Sequence, residues 1–158
     1  MSLPVGSVVV YARFFWGTSF SAIPSSYPLT ALAEVYRLKG DTKKAIHNAE
    51  KALSIFRQRE ERGFAAWALY YMAKIRSEDK SEQIQHAVQT YREAIEHAAD
   101  LGMRPLAAHS HLGLGQLYLR EGEPKEARSE LLAAVDLYRT MGMSYWLPQA
   151  EATFANIK

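Results

Sequence analysis

The 158-residue sequence predicts an all-α chain, folded as a superhelix of antiparallel helical hairpins. Three observations predict this. The first is an internal repeat: the spacing of Tyr36, Gly40 and Ala45 recurs in Tyr118, Gly122 and Ala127, and Ala52, Ala94 and Ala134 stand 42 and 40 residues apart. The second is helical periodicity, with Ile46, Ala49, Leu53 and Phe56 forming one apolar stripe and Ile84, Val88, Tyr91, Ile95 and Ala98 another. The third is composition along the chain. Good helix formers fill the body, and its few glycines and prolines stand at intervals as punctuation.

The body is preceded by a segment of different character. Of the charged side chains, Arg13 alone precedes Glu34, and of the 23 alanines only Ala12 and Ala22 precede residue 31. Residues 1–28 therefore read as an apolar leader, irregular or strand-like, and residues 29–158 as the helical repeat domain. No Lys or Arg precedes the apolar run of the leader, and Arg13 interrupts it, so it does not read as a signal peptide. It is also shorter than the roughly 20 apolar residues of a membrane span. A cytoplasmic chain without membrane contact is the expectation. There are no cysteines, which removes disulfides, thiol nucleophiles and cysteine-ligated metal. A net charge of +2 gives no basic stripe of the kind that grips nucleic acid.

Taken in order, the helices are expected at residues 28–39, 43–58, 63–76, 80–101, 104–121, 124–141 and 145–157. Gly40-Asp41 and Gly122-Glu123-Pro124 make tight turns within hairpins, with Asp41 as an N-cap and Pro124 at the first helical position. Glu60, Gly102 and Gly142 each fall eight residues after the repeated alanine, where a helix ends; the two glycines suit the left-handed residue of such an end. The second unit is degenerate at its turn, where residues 77–83 carry two extra positions. Small residues at Ala33, Ala73 and Gly115 on the first helix of each unit, and at Ala45, Ala87 and Ala127 on the second, let the paired axes approach closely. The last helix aligns with a first helix but has no successor. It reads as the cap that covers the final apolar face of a solenoid.

These spacings resemble the tetratricopeptide repeat. Its signature appears in Leu114-Gly115-Gln116-Leu117-Tyr118 and more weakly in Leu32-Ala33-Glu34-Val35-Tyr36, with about three repeats plus the capping helix. The family period is 34 residues, and this chain departs from it with longer helices and connections. A narrower resemblance covers residues 29–157. Gly63-Phe-Ala-Ala-Trp-Ala-Leu69, Leu101-Gly-Met-Arg-Pro-Leu106, His111-Leu-Gly-Leu-Gly115 and Met141-Gly-Met-Ser-Tyr-Trp146 are similar to the C-terminal repeat region of bacterial signalling proteins that contain an ATPase, among them adenylate cyclases and transcriptional activators. In that family the catalytic domains lie upstream, and nothing in this chain matches them.

No pattern here carries catalysis. There is no Gly-x-x-x-x-Gly-Lys-Ser/Thr. Gly113 and Gly115 lie inside a helix with no strand before them, which suits close packing better than a phosphate cradle. His109 and His111 are two apart on a helix and point in different directions, so no metal is expected. Glu60-Glu61 and Glu78-Asp79 read as solvated acids in turns, and no cofactor is implied. The remaining chemistry is recognition.

By the resemblance, the first helices of the units line a groove. It runs from Tyr27, Thr30, Ala31, Glu34 and Arg37 through Trp67, Tyr70, Tyr71, Lys74 and Ser77. From there it passes to His109, Leu112, Gly113, Gln116 and Leu119, with Gln149 and Thr153 from the cap. Glu34, Arg37, Trp67, Tyr70, Tyr71, Lys74, His109 and Gln116 are the candidate contacts for a partner, since aromatic rings flanked by long polar side chains form interaction hot spots. The positions at which relatives grip an acidic C-terminus with Lys and Asn carry Thr30, Glu34, Tyr71, His109 and Gly113, which does not support such a clamp. The expected function is a non-catalytic scaffold that binds a protein, a peptide or a second copy of the chain. The alternative is a regulatory module of an ATPase- or cyclase-based signalling or transcription system. A helical-repeat RNA binder would need a basic groove, and this one is mixed in charge.

Overall fold

The computed structural model describes residues 27–78 and 84–157. Among them run seven helices: α1 (Tyr27–Leu38), α2 (Thr42–Gln58), α3 (Arg62–Glu78), α4 (Ile84–Asp100), α5 (Arg104–Arg120), α6 (Pro124–Thr140) and α7 (Leu147–Ala155). The described residues contain no strand, so the all-α expectation holds. α1 packs on α2, α3 on α4 and α5 on α6, and each hairpin docks on the next through α2 against α3 and α4 against α5. α3 also touches both α1 and α5, so the first helices of the three units form one layer. α7 closes the array by packing on α6. Residues 1–26 of the leader and the expected start of the fourth helix at residue 80 lie outside the described residues, and the last two leader positions, 27 and 28, belong to α1.

The turns repeat one chemical solution. The Asp41 carboxylate accepts from the Lys44 N–H at 3.1 Å, capping α2. α6 begins at Pro124, whose missing N–H costs nothing in a first turn. At the ends of α2, α4 and α6 the chain reverses through a residue of positive φ. Two of these are glycines, Gly102 and Gly142, both at 65°; the third is Glu60 at 58°. In each case the N–H one residue later reaches back to close the helix: Met103 to Ala98 O at 2.7 Å, Met143 to Tyr138 O at 2.9 Å, Glu61 to Phe56 O at 2.8 Å. Glu60 thus holds a glycine's conformation, at a cost of about 1–2 kcal/mol for an L-residue. Its neighbour Glu61 is half-buried rather than fully solvated.

The last helix is shorter than the sequence predicts. Residues 144–146 form a turn, held by the Trp146 N–H donating to Met143 O at 3.0 Å, and α7 begins at Leu147 with Pro148 in its first turn. The side chains between paired helices explain the close approach. Ala33, Ala45, Ala73, Ala87 and Ala127 have no exposed surface. Gly115 is tighter still: a Cβ there would lie 2.6 Å from Leu131 Cγ and 3.3 Å from the Leu131 backbone nitrogen. The larger core residues fill the rest, with Phe56 stacked on Phe64 at 5.2 Å and Leu106, Leu114, Leu117, Leu131 and Tyr138 almost fully enclosed.

Candidate functional site

The layer of first helices carries an open cleft of about 250 Å³, to which α3, α5 and the α7 end contribute. Tyr70, Lys74, Ser77 and Glu78 come from α3 at helical spacing, so they share one face. His109, Leu112, Gly113, Gln116 and Arg120 come from α5 by the same rule, and Trp146 and Gln149 close the end. Tyr91 enters from α4, because Gly113 leaves room for its ring: a Cβ at 113 would stand 2.6 Å from the phenol oxygen.

Aromatic rings run along one wall. Trp67 lies edge-on to Tyr70 at 5.8 Å and tilted against Tyr71 at 6.1 Å and His109 at 6.2 Å. His109 continues to Trp146 at 4.8 Å, and Trp146 to Tyr145 at 5.2 Å. Tyr145 is exposed at the end of this row. Of the adjacent tyrosines it is Tyr70 that turns inward. Its ring packs against the core between the first and second units, the core between the second and third, and the cluster around Leu106, and burial pushes its phenol well above the usual value. Tyr91 is raised to about 12, chiefly by burial. His109 is 8 % exposed, with Nδ1 2.7 Å from the Tyr138 hydroxyl. Burial, and then the nearby charge of Lys74, lower its pKa to about 4, so the imidazole is neutral at physiological pH. His111 is engaged separately, 2.6 Å from Glu130, so the two histidines do not converge.

Charges form the other wall. Arg37 holds the Glu34 carboxylate bidentately, at 2.7 and 2.8 Å, and reaches both oxygens of Glu78 at 2.8 and 2.6 Å. Burial acts to raise the Glu34 carboxyl. The hydrogen bonds from Arg37 and the charge of Lys74 outweigh it, and the group stays below its usual value. The same pairing raises the Arg37 guanidinium further. Lys74 approaches Glu34 only at 3.5 Å. Arg120 donates to the Ser77 carbonyl in the last turn of α3.

The structure thus brings Tyr70, Lys74, His109 and Gln116 to one cleft and sets Trp67 and Tyr71 beside it, with Glu34 and Arg37 joined through the ion pairs. Thr30, expected along the groove, is buried. Glu78, read from the sequence as solvated, is held by Arg37 although its side chain remains partly exposed. Sequence reasoning passed over Arg120, Tyr91 and Trp146 as cleft residues. Arg120 was visible as the residue four after Gln116. Tyr91 was signalled only indirectly, by the glycine at 113 that accommodates it.

Helical hairpins stacked in register, with a mixed aromatic and ionic cleft on their first helices, define a helical-repeat protein of the tetratricopeptide-like kind. Residues 25–158 match the family described as soluble NSF attachment protein, SNAP, and the chain belongs to that family. No curated protein matches the sequence. No described helix is long and apolar enough to cross a membrane.

Proposed function

We propose that the chain is a non-catalytic protein-interaction scaffold, working in the cytoplasm without metal or cofactor, that holds a peptide or a helix in the cleft between α3 and α5. The observation that carries this reading is the convergence of Tyr70, Lys74, His109 and Gln116, from two successive units, on one open cleft. Rings that lose little conformational freedom stand there beside polar groups that fix orientation, as in binding hot spots. A family named for attachment proteins supports a partner-binding role. The test is affinity capture with the full chain and with a Lys74→Ala, Gln116→Ala double variant. Both side chains are partly exposed, so the melting temperature should hold while the captured partner is lost. A partner retained by a folded double variant moves the site to α2, α4 and α6 or to the leader.

The resemblance of Leu101-Gly-Met-Arg-Pro-Leu106 and the neighbouring blocks to bacterial signalling proteins favours one class of partner, an ATPase or cyclase regulated in trans. Co-capture of such an enzyme, or its reading frame beside this one, supports that second reading. Capture of unrelated proteins alone removes it.

A further inference from the structure

The charged wall of the cleft is unbalanced. Among the described residues, three cations (Arg37, Lys74 and Arg120) meet two carboxylates, Glu34 and Glu78. The carboxylates are already engaged. Arg37 takes both oxygens of each, and a bidentate guanidinium pair is the strong form of this interaction. Arg120 is directed to a backbone carbonyl. Lys74 is left with one long contact, 3.5 Å to an oxygen that Arg37 already serves at 2.8 Å. An ammonium has three donors. Its position, about one-third exposed at the cleft, costs part of its hydration without supplying a full partner. Beside it, the Gln116 and Gln149 amides and the row from Tyr70 through His109 to Trp146 supply neutral donors and flat apolar surface.

Resting on the scaffold reading above, we infer that the cleft selects a peptide carrying an internal Asp or Glu, whose side-chain carboxylate pairs with Lys74 while an apolar neighbour lies on the Tyr70–His109–Trp146 row. Charge complementarity argues for this occupant: one added carboxylate balances the three cations. A second cation would face Lys74 and Arg120 at short range. The site differs from a clamp for a chain terminus, because it offers one loosely held lysine facing an aromatic wall rather than several donors around a terminal carboxylate. Neutral His109 fits it as well, since an imidazole that is uncharged at pH 7 adds a hydrogen-bonding edge without adding to the field.

A random dodecapeptide library, displayed and selected on the full chain, tests this. Binding of the enriched peptides is then measured by titration calorimetry. Enriched sequences should share an internal acidic residue next to an apolar one. Replacing that acid by its amide should weaken binding about tenfold or more, as expected for a close charge pair. Lys74→Gln should cost a similar factor, with no further loss when both changes are combined, and Lys74→Arg should restore most of the affinity. Circular dichroism checks that each variant is folded. Peptides that bind the cleft, as judged by their sensitivity to Trp146→Ala, but ignore both Lys74→Gln and the acid-to-amide change overturn the acidic preference and leave the scaffold reading standing. Binding that depends only on the peptide's terminal carboxylate, and vanishes on amidation, overturns it in favour of a terminus. Failure to enrich any peptide sensitive to Trp146→Ala overturns the cleft reading together with this inference.

Discussion

Single side chains decide how close the helices come and what the cleft can hold. Gly115 is the clearest case. Its two counterparts are alanines, yet here the facing Leu131 occupies the space of a Cβ, and the Leu131 backbone limits how far it can retreat. Gly115→Ala should therefore destabilise the chain by about 1–3 kcal/mol through overpacking, read as a lower midpoint in urea denaturation; a gain in stability, as for a glycine-to-alanine change in an ordinary helix, would show that Leu131 repacks freely. His109 makes the second residue-scale prediction. Its folded pKa of about 4 lies below the roughly 6.5 of an unfolded histidine. Between those values the unfolded chain binds the proton and the folded chain does not. The stability this group contributes is thus complete above pH 6.5 and is lost as the pH falls towards 4, by about 3 kcal/mol. Denaturation midpoints across that range should fall for the parent protein. In His109→Gln the fall should be shallower, and equal slopes would show that the imidazole is solvated.

At the scale of elements, the turns and the terminal helix carry the organisation. α7 covers the face of α6 and α5 with Leu147, Ala150, Phe154 and Ile157, which pack with Leu112, Leu131, Val135 and Tyr138. Deleting residues 144–158 should uncover that surface. Aggregation or a melting temperature lower by many degrees is expected, since contiguous exposed apolar patches beyond a few hundred Å² drive association; a truncated chain that stays monomeric and equally stable would exclude α7 from the array. The elements were readable because their signals are local. Asp41, Pro124 and the glycine turns announce ends, and the alanine spacing announces pairs. What was not readable depended on contacts across elements. The sequence extends the last helix back to residue 145, whereas the chain first makes a turn through residues 144–146 to bring Trp146 beside His109. Glu78 looked like a solvated acid because its partner, Arg37, is 41 residues away. Adjacent Tyr70 and Tyr71 gave no sign of which turns inward, since that depends on Tyr91 and His109 arriving from α4 and α5.

At the scale of the molecule, the described helices pack hairpin on neighbouring hairpin. Stability in such an array is approximately a sum over units and their interfaces, so damage should remain local. Ala127 is fully enclosed where α6 meets α5. Ala127→Leu should speed amide hydrogen exchange in α5, α6 and α7 while leaving α1 and α2 close to their parent rates. Uniform loss of protection along the chain would instead show a single cooperative core. The ion pairs from Arg37 to Glu78 cross from the first unit to the second, and the Arg120 bond to Ser77 crosses from the third to the second, so the cleft is a joint between units.

The chain has three tryptophans, and two of them, Trp67 and Trp146, lie on either side of His109 at 6.2 and 4.8 Å. Indole emission shifts with the polarity of its surroundings and is quenched by a nearby imidazolium, which accepts an electron from the excited ring. Anything that displaces water from the cleft, or that protonates the histidine between the two indoles, therefore changes the light the protein emits. The protein carries an optical gauge of its own cleft, readable without a label, and replacing both Trp16 and Trp146 by phenylalanine isolates the signal of Trp67.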